Sequence, residues 1–150
     1  MIHLGVRSLA KLEGVHPDLV RIVRHAAAIA VPDEDFTIVQ GVRTHQECCV
    51  NWGKGRSAVE CTRHGVDTRF AMPTSSKVTW LADPFASKHC ARDGFGHAVD
   101  LAPFPIDWND MARFERLALL MKKAATAERV AMAWGGDWKT SKDLPHFELA

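Results

Sequence analysis

Three short segments in the second half of the chain constrain its fold more than anything else in it: Ser87-Lys88-His89, Gly96-His97-Ala98-Val99-Asp100 and Asp143-Leu144-Pro145-His146. Together they offer two imidazoles and one carboxylate to a metal, with a second carboxylate three residues before the last imidazole. A catalytic zinc site needs three protein ligands of the N/O type, an open position for water and a nearby base. A fold that used this set would have to carry the C-terminal segment back beside residues 89–100.

Each candidate has a plainer reading. His97-Ala98-Val99-Asp100-Leu101 reads as a strand, and side chains alternate across a strand. Asp100 then shares a face with Ala98, and His97 falls on the opposite face with Val99, which makes His97 a non-ligand. Asp100 between Val99 and Leu101 could be a buried structural carboxylate, but it would need a partner there, and a metal is a good one. His146 opens a C-terminal strand, and a lone histidine is more often structural; Asp143 three residues earlier adds weight to it. His89 lies in a loop beside Cys90 and is equally well read, from the residues alone, as a surface histidine. Asp143 could simply form a turn before Pro145, and Arg43 could be a solvated surface side chain. Trp134 and Trp138 flank Gly135-Gly136 and suit either a cleft or a core.

The pattern along the chain predicts an α+β domain with a small antiparallel sheet flanked by helices. Ser8 is the expected cap of a helix over residues 9–13. Pro17 opens a second helix running to about Ala30, with Leu19, Ile22, Val23, Ala26 and Ala30 on one stripe. Phe36 to Gln40 reads as a strand. Thr44 with Glu47 forms a capping-box pattern for a helix to about Gly53. Residues 53–76 read as a long surface loop, Val78-Thr79-Trp80 as a short strand, and residues 83–96 as the loop carrying His89. A long helix is expected from about Trp108 to Ala127, with Met111, Phe114, Leu117, Ala118 and Met121 inward, and strands at Val130–Trp134 and His146–Leu149.

One domain, residues 1–150, fits this length. A net charge of +1 gives no bulk drive towards nucleic acid or membranes. The longest apolar run, Ala26 to Val31, is too short to span a bilayer. The N-terminus lacks the basic-then-apolar form of a secretory signal, so the protein is expected to accumulate in the cytosol. Its four cysteines, Cys48, Cys49, Cys61 and Cys90, contain no C-x-x-C pair and are expected to be reduced, mostly buried thiols. Cys48 and Cys49 would point about 100° apart on a helix and so make poor co-ligands.

The motifs Ser87-Lys88-His89, Ala98-Val99-Asp100-Leu101 and Asp143-Leu144-Pro145-His146-Phe147 resemble the M15 zinc peptidases, and most closely their phage endolysin branch of L-alanyl-D-glutamate peptidases. Gly41-Val42-Arg43-Thr44 with Gln46-Glu47, Trp52 to Ser57, Trp134 to Trp138, and Arg7 to Leu12 followed by His16 to Leu19 extend the resemblance over nearly the whole chain. One departure is the eleven-residue offset from His89 to Asp100, longer than the family's usual interval, with residues 92–95 as part of a loop insertion that loop entropy can tolerate.

The resemblance implies a Hedgehog/DD-peptidase-like fold, and Zn²⁺ held by His89, Asp100 and His146. It further implies Asp143 as general base, Arg43 as stabiliser of the oxyanion or of a substrate carboxylate, and Ser87 as a substrate- or loop-positioning residue. The substrate it implies is the peptidoglycan stem peptide, cut between L-Ala and D-Glu by a monomer that leaves the host cytoplasm through holin lesions and acts on the wall in the periplasm. Lys88, Arg92, Lys139 and Lys142 neighbour the motifs and would suit substrate carboxylates. Two other outcomes share these motifs: a D-Ala-D-Ala carboxypeptidase or dipeptidase of the same fold, and a zinc-containing wall-binding module without catalysis.

Overall fold

Alternation of apolar and polar residues builds the sheet. In β2 (Ala98–Pro103) Val99 and Leu101 join the hydrophobic core, and in β4 (His146–Leu149) Phe147 does the same, leaving Asp100, His146 and Glu148 on the other face. β1 (Phe36–Gln40) and β3 (Met132–Trp134) complete a four-stranded antiparallel sheet in the order β1-β2-β4-β3. The computed structural model describes residues 1–150.

One face of the sheet is covered by α2 (Pro17–Ile29) and α5 (Met111–Glu128). Leu19, Ile22, Val23, Ala26 and Ala30 are all buried there, as the predicted stripe requires. From α5, Phe114, Leu117, Ala118 and Met121 are buried, but Met111 is exposed because the helix starts later than predicted, capped by Asp110. A short α1 (Val6–Lys11) begins at Gly5; Ser8 lies inside it, buried, where its hydroxyl pairs with Thr37 and accepts from the Ile38 amide. Ser8 thus ties α1 to β1 instead of capping a helix.

A second, smaller packed unit follows β1 in the chain. α3 (His45–Gly53) is closed by the predicted capping box of Thr44 and Glu47. Residues 53–76 are not one long loop. They contain α4 (Ala58–Arg63) and a single 3₁₀ turn at Thr68–Phe70, around a small core of Cys49, Trp52, Cys61 and Val66. The signal for α4 is present in the sequence as Ser57 and Glu60, a second capping box.

Residues 78–80 form no strand. They belong to a segment pinned from beneath: Arg56, itself buried and stacked on Trp52, donates to the Thr79 carbonyl, and Trp52 Nε1 donates to the Leu81 carbonyl. The cysteines also depart from expectation. Cys48 and Cys90 form a disulfide joining α3 to the residue after His89, while Cys49 and Cys61 stay free and buried. The pairing joins residues 42 apart, which no local spacing announces. No helix is long and apolar enough to cross a membrane.

Candidate metal centre and cleft

Strand register assembles two of the three donors. Asp100 on β2 sits directly opposite His146 on β4. On the other side of β2 the register slips by one residue between Ile38 and Gln40, so that Gln40 rather than Val39 opposes Asp100. Such a bulge re-aims side chains at the end of a strand. Here it sets Gln40 to receive a hydrogen bond from Arg43 Nη2 at 2.8 Å.

His89 arrives from the irregular segment, yet it is one of the most deeply buried side chains, at 2% exposure. Its backbone carbonyl accepts from the Arg43 amide, its own amide donates to Ser87 Oγ, and its ring Nδ1 meets the Gly41 carbonyl at 2.8 Å. A side chain at Gly41 would collide with the Lys11 carbonyl, so only glycine lets this carbonyl reach the ring. Residues 92–95 form a tight turn, with Arg92 and Phe95 paired and Asp93 and Gly94 both at positive φ.

His89 Nε2, Asp100 Oδ1 and His146 Nδ1 converge, with separations of 3.0, 3.2 and 3.3 Å. The outer ring nitrogens decide what the inner ones offer. His89 Nδ1 faces a carbonyl, an obligate acceptor, and must carry the proton; His146 Nε2 lies 2.8 Å from Glu148 and donates to it. In neutral rings both inner nitrogens are then lone pairs, aimed at each other and at a carboxylate oxygen. Three lone pairs at this distance repel unless a cation sits among them, so the donor set fits a metal ion. Glu148, which sequence reasoning overlooked, is held in turn by Lys88 at 3.2 Å.

Charge shifts follow the same geometry. Where a proton rather than a metal occupies the inner nitrogens, burial still disfavours ionised Asp100, but the hydrogen bonds that His146 and His89 then donate prevail and hold it well below the usual carboxylate range. Burial works against protonated His146, yet Asp100 and Glu148 raise its pKa. That affinity for a proton is affinity for any cation, and a metal would displace the proton. Asp143 is raised, first by burial and then by the Asp100 charge, with His146, His89 and Arg43 only partly offsetting them.

A cleft of about 700 Å³ is lined by two of the donors, His89 and His146, and by Arg43, Ser87, Trp138 and Asp143. No protein group donates to the Asp143 carboxylate, while its backbone is pinned by Gly135 and His146. Arg43 Nη1 donates to Ser87 at 3.4 Å, and its buried Nε has no partner. Trp138 lies 5.2 Å from the His146 ring at the cleft edge, whereas Trp134 is core, its Nε1 bound to the Leu144 carbonyl. His97 points away and packs on His16. Of the cations near the motifs, Lys88 serves Glu148, Arg92 the Ala86 carbonyl and Lys142 the Gly136 carbonyl.

Residues 1–69 match a family model described as phage L-alanyl-D-glutamate peptidase. Residues 83–149 match an M15 peptidase model described as D-alanyl-D-alanine carboxypeptidase. The L-alanyl-D-glutamate peptidase of Escherichia phage T5 is 30% identical over 148 residues, spanning 97% of this chain and 87% of the relative. The crystal structure of the Serratia marcescens L-Ala D-Glu endopeptidase ChiX is similar with a TM-score of 0.62 and 30% identity, covering 97% of this chain and 87% of that one.

Proposed function

This chain belongs to the L-alanyl-D-glutamate peptidases of the M15 family, and we propose that its cleft hydrolyses the L-Ala–D-Glu bond of the peptidoglycan stem peptide with the help of zinc. The observation that carries this reading is the convergence of His89, Asp100 and His146, with both histidines opening on a cleft they share with Asp143 and Arg43. M15 peptidases are metallopeptidases, and two imidazoles with one carboxylate are a zinc-type donor set. When bound, zinc supplies Lewis acidity, which polarises a peptide carbonyl and makes water easier to deprotonate near neutral pH.

The remaining work falls to side chains. Asp143, unpartnered and facing the cleft, takes a proton from the attacking water and returns it to the departing amine of D-Glu. Burial and the Asp100 charge raise its pKa, which makes it a stronger base than an ordinary carboxylate. Arg43 donates to the carbonyl oxygen as negative charge develops on it. Gln40 and Ser87 hold the guanidinium in place, and Ser87 also fixes the His89 backbone. Trp138 walls one side of the cleft. On this reading the protein acts as a monomer and reaches the wall after a holin opens the host membrane.

The test is mass spectrometry of purified peptidoglycan after incubation with the zinc-loaded protein. Stem peptides beginning at D-Glu are expected, and they should vanish with a chelator and in Asp143→Asn. Loss of a terminal D-Ala alone would select the carboxypeptidase activity that the model matching residues 83–149 is described by. No cleavage, with one zinc still held per chain, would leave a wall-binding module and remove Asp143 from catalysis.

A further inference from the structure

We propose that a side chamber behind Arg43, carrying Lys54 and Asn51, is a subsite for a free substrate carboxylate on the D-Glu side of the scissile bond. The inference rests on the peptidase reading above. The chamber has a volume of about 230 Å³ and joins the cleft, because Arg43, Thr79 and Ser87 line both. Its wall contains two cations, Arg43 and Lys54, and no acidic residue.

Lys54 and one nitrogen of Arg43 are uncommitted. Lys88, Arg92 and Lys142 all have protein acceptors, but Lys54 Nζ makes no hydrogen bond or ion pair, although the residue is half-buried. The Asn51 amide has no side-chain partner either, and Arg43 Nε is buried without an acceptor. Arg43 Nε is withdrawn from water and unpaired, which is costly, and a concave wall that adds a free lysine and an amide to it, with no acidic group, favours an anion.

The chamber is also rigid. Lys54 is the first residue after α3, its backbone is bridged to Met72, and the Cys48–Cys90 disulfide forms part of the wall. A backbone wall fixed before binding needs little ordering when the ligand arrives.

The substrate supplies a matching group. D-Glu in a stem peptide is linked onwards through its γ-carboxyl, which leaves the α-carboxylate free on the carbon that bears the scissile nitrogen. With the carbonyl of that bond at the cleft floor beside Arg43, a carboxylate this close reaches the chamber on the far side of the same guanidinium. Arg43 would then touch both ends of the reacting unit, and Lys54 and Asn51 would read the carboxylate alone.

Two synthetic N-acyl-L-Ala-γ-D-Glu peptides, identical except for an α-carboxylate or an α-carboxamide, test this on the zinc-loaded protein. Wild type is expected to favour the carboxylate by at least about tenfold in kcat/KM. Lys54→Met should narrow that ratio by about the same factor, and Lys54→Arg should retain it. Asn51→Leu is the second variant, expected to narrow it less. An equal ratio in wild type, Lys54→Met and Asn51→Leu would overturn the subsite. Should wild type cleave neither peptide, the peptidase reading fails; calorimetric binding of the two peptides then decides the subsite, and equal binding of both overturns it.

Discussion

Breaking the Cys48–Cys90 bond should cost the fold several kcal/mol without removing a single packing contact. Both cysteines are buried, so their thiols would stay enclosed in the reduced native state, and the effect lies chiefly in the unfolded chain. The bond closes a loop between residues 42 apart. On the chain-entropy model a loop of that length is worth about 4 kcal/mol at 25 °C. For a domain of this size that corresponds to roughly 8–16 °C in Tm. Denaturant unfolding of the metal-free protein, with and without a phosphine reductant, measures it directly. Cys49 and Cys61 are free, so the reductant acts on one bond only, and Cys90→Ala should match reduced wild type. Thiol titration of the unfolded, oxidised chain should find two reactive groups. Four thiols, or superimposable unfolding curves, would refute the reasoning.

Three other outcomes follow from the geometry. Glu148→Gln, which removes the charge behind His146 Nε2 while keeping the shape, should weaken zinc binding about 10–100-fold in competition with a chromophoric chelator. Arg56→Met should loosen the segment over residues 79–81, seen as faster amide exchange there and a lower melting temperature, because it removes the charged donor from the Thr79 carbonyl. Hydrogen bonds from His25 and then Arg21 lower the Glu128 pKa, so its stabilisation is present above the usual carboxylate pKa and disappears as pH falls through the lower, folded value. The Tm gap between wild type and Glu128→Gln should therefore be full at neutral pH and close below about pH 4.

Much of this molecule is readable where a few adjacent residues decide the outcome. Thr44 and Glu47 define the start of α3, Pro17 the start of α2, and the alternation around Asp100 separates it from His97 without any tertiary information. What resists reading depends on distant partners. Nothing near Cys90 names Cys48, and nothing near Ser8 names Thr37. Glu148 is an ordinary strand glutamate until β4 is laid beside Lys88. Lys54 is conspicuous only once the cations beside the motifs, Lys88, Arg92 and Lys142, are seen to be engaged. Residues 53–76 are different: the Ser57–Glu60 capping box is legible, and their richness in Gly, Ser, Thr and charge obscures it.

The register of the sheet also says where this chain can change length. Gln40, Asp100 and His146 form one row across three strands, and a one-residue slip in β2 or β4 would turn a donor to the core face. Insertion or deletion within those strands is therefore closed to variation. His89 is held by its own anchors to Gly41, Arg43 and Ser87, so the turn after it can lengthen or shorten without moving a donor. The turn at residues 92–95 is thus a site for grafting new wall-contacting segments, a few residues from the reactive centre and outside its geometry.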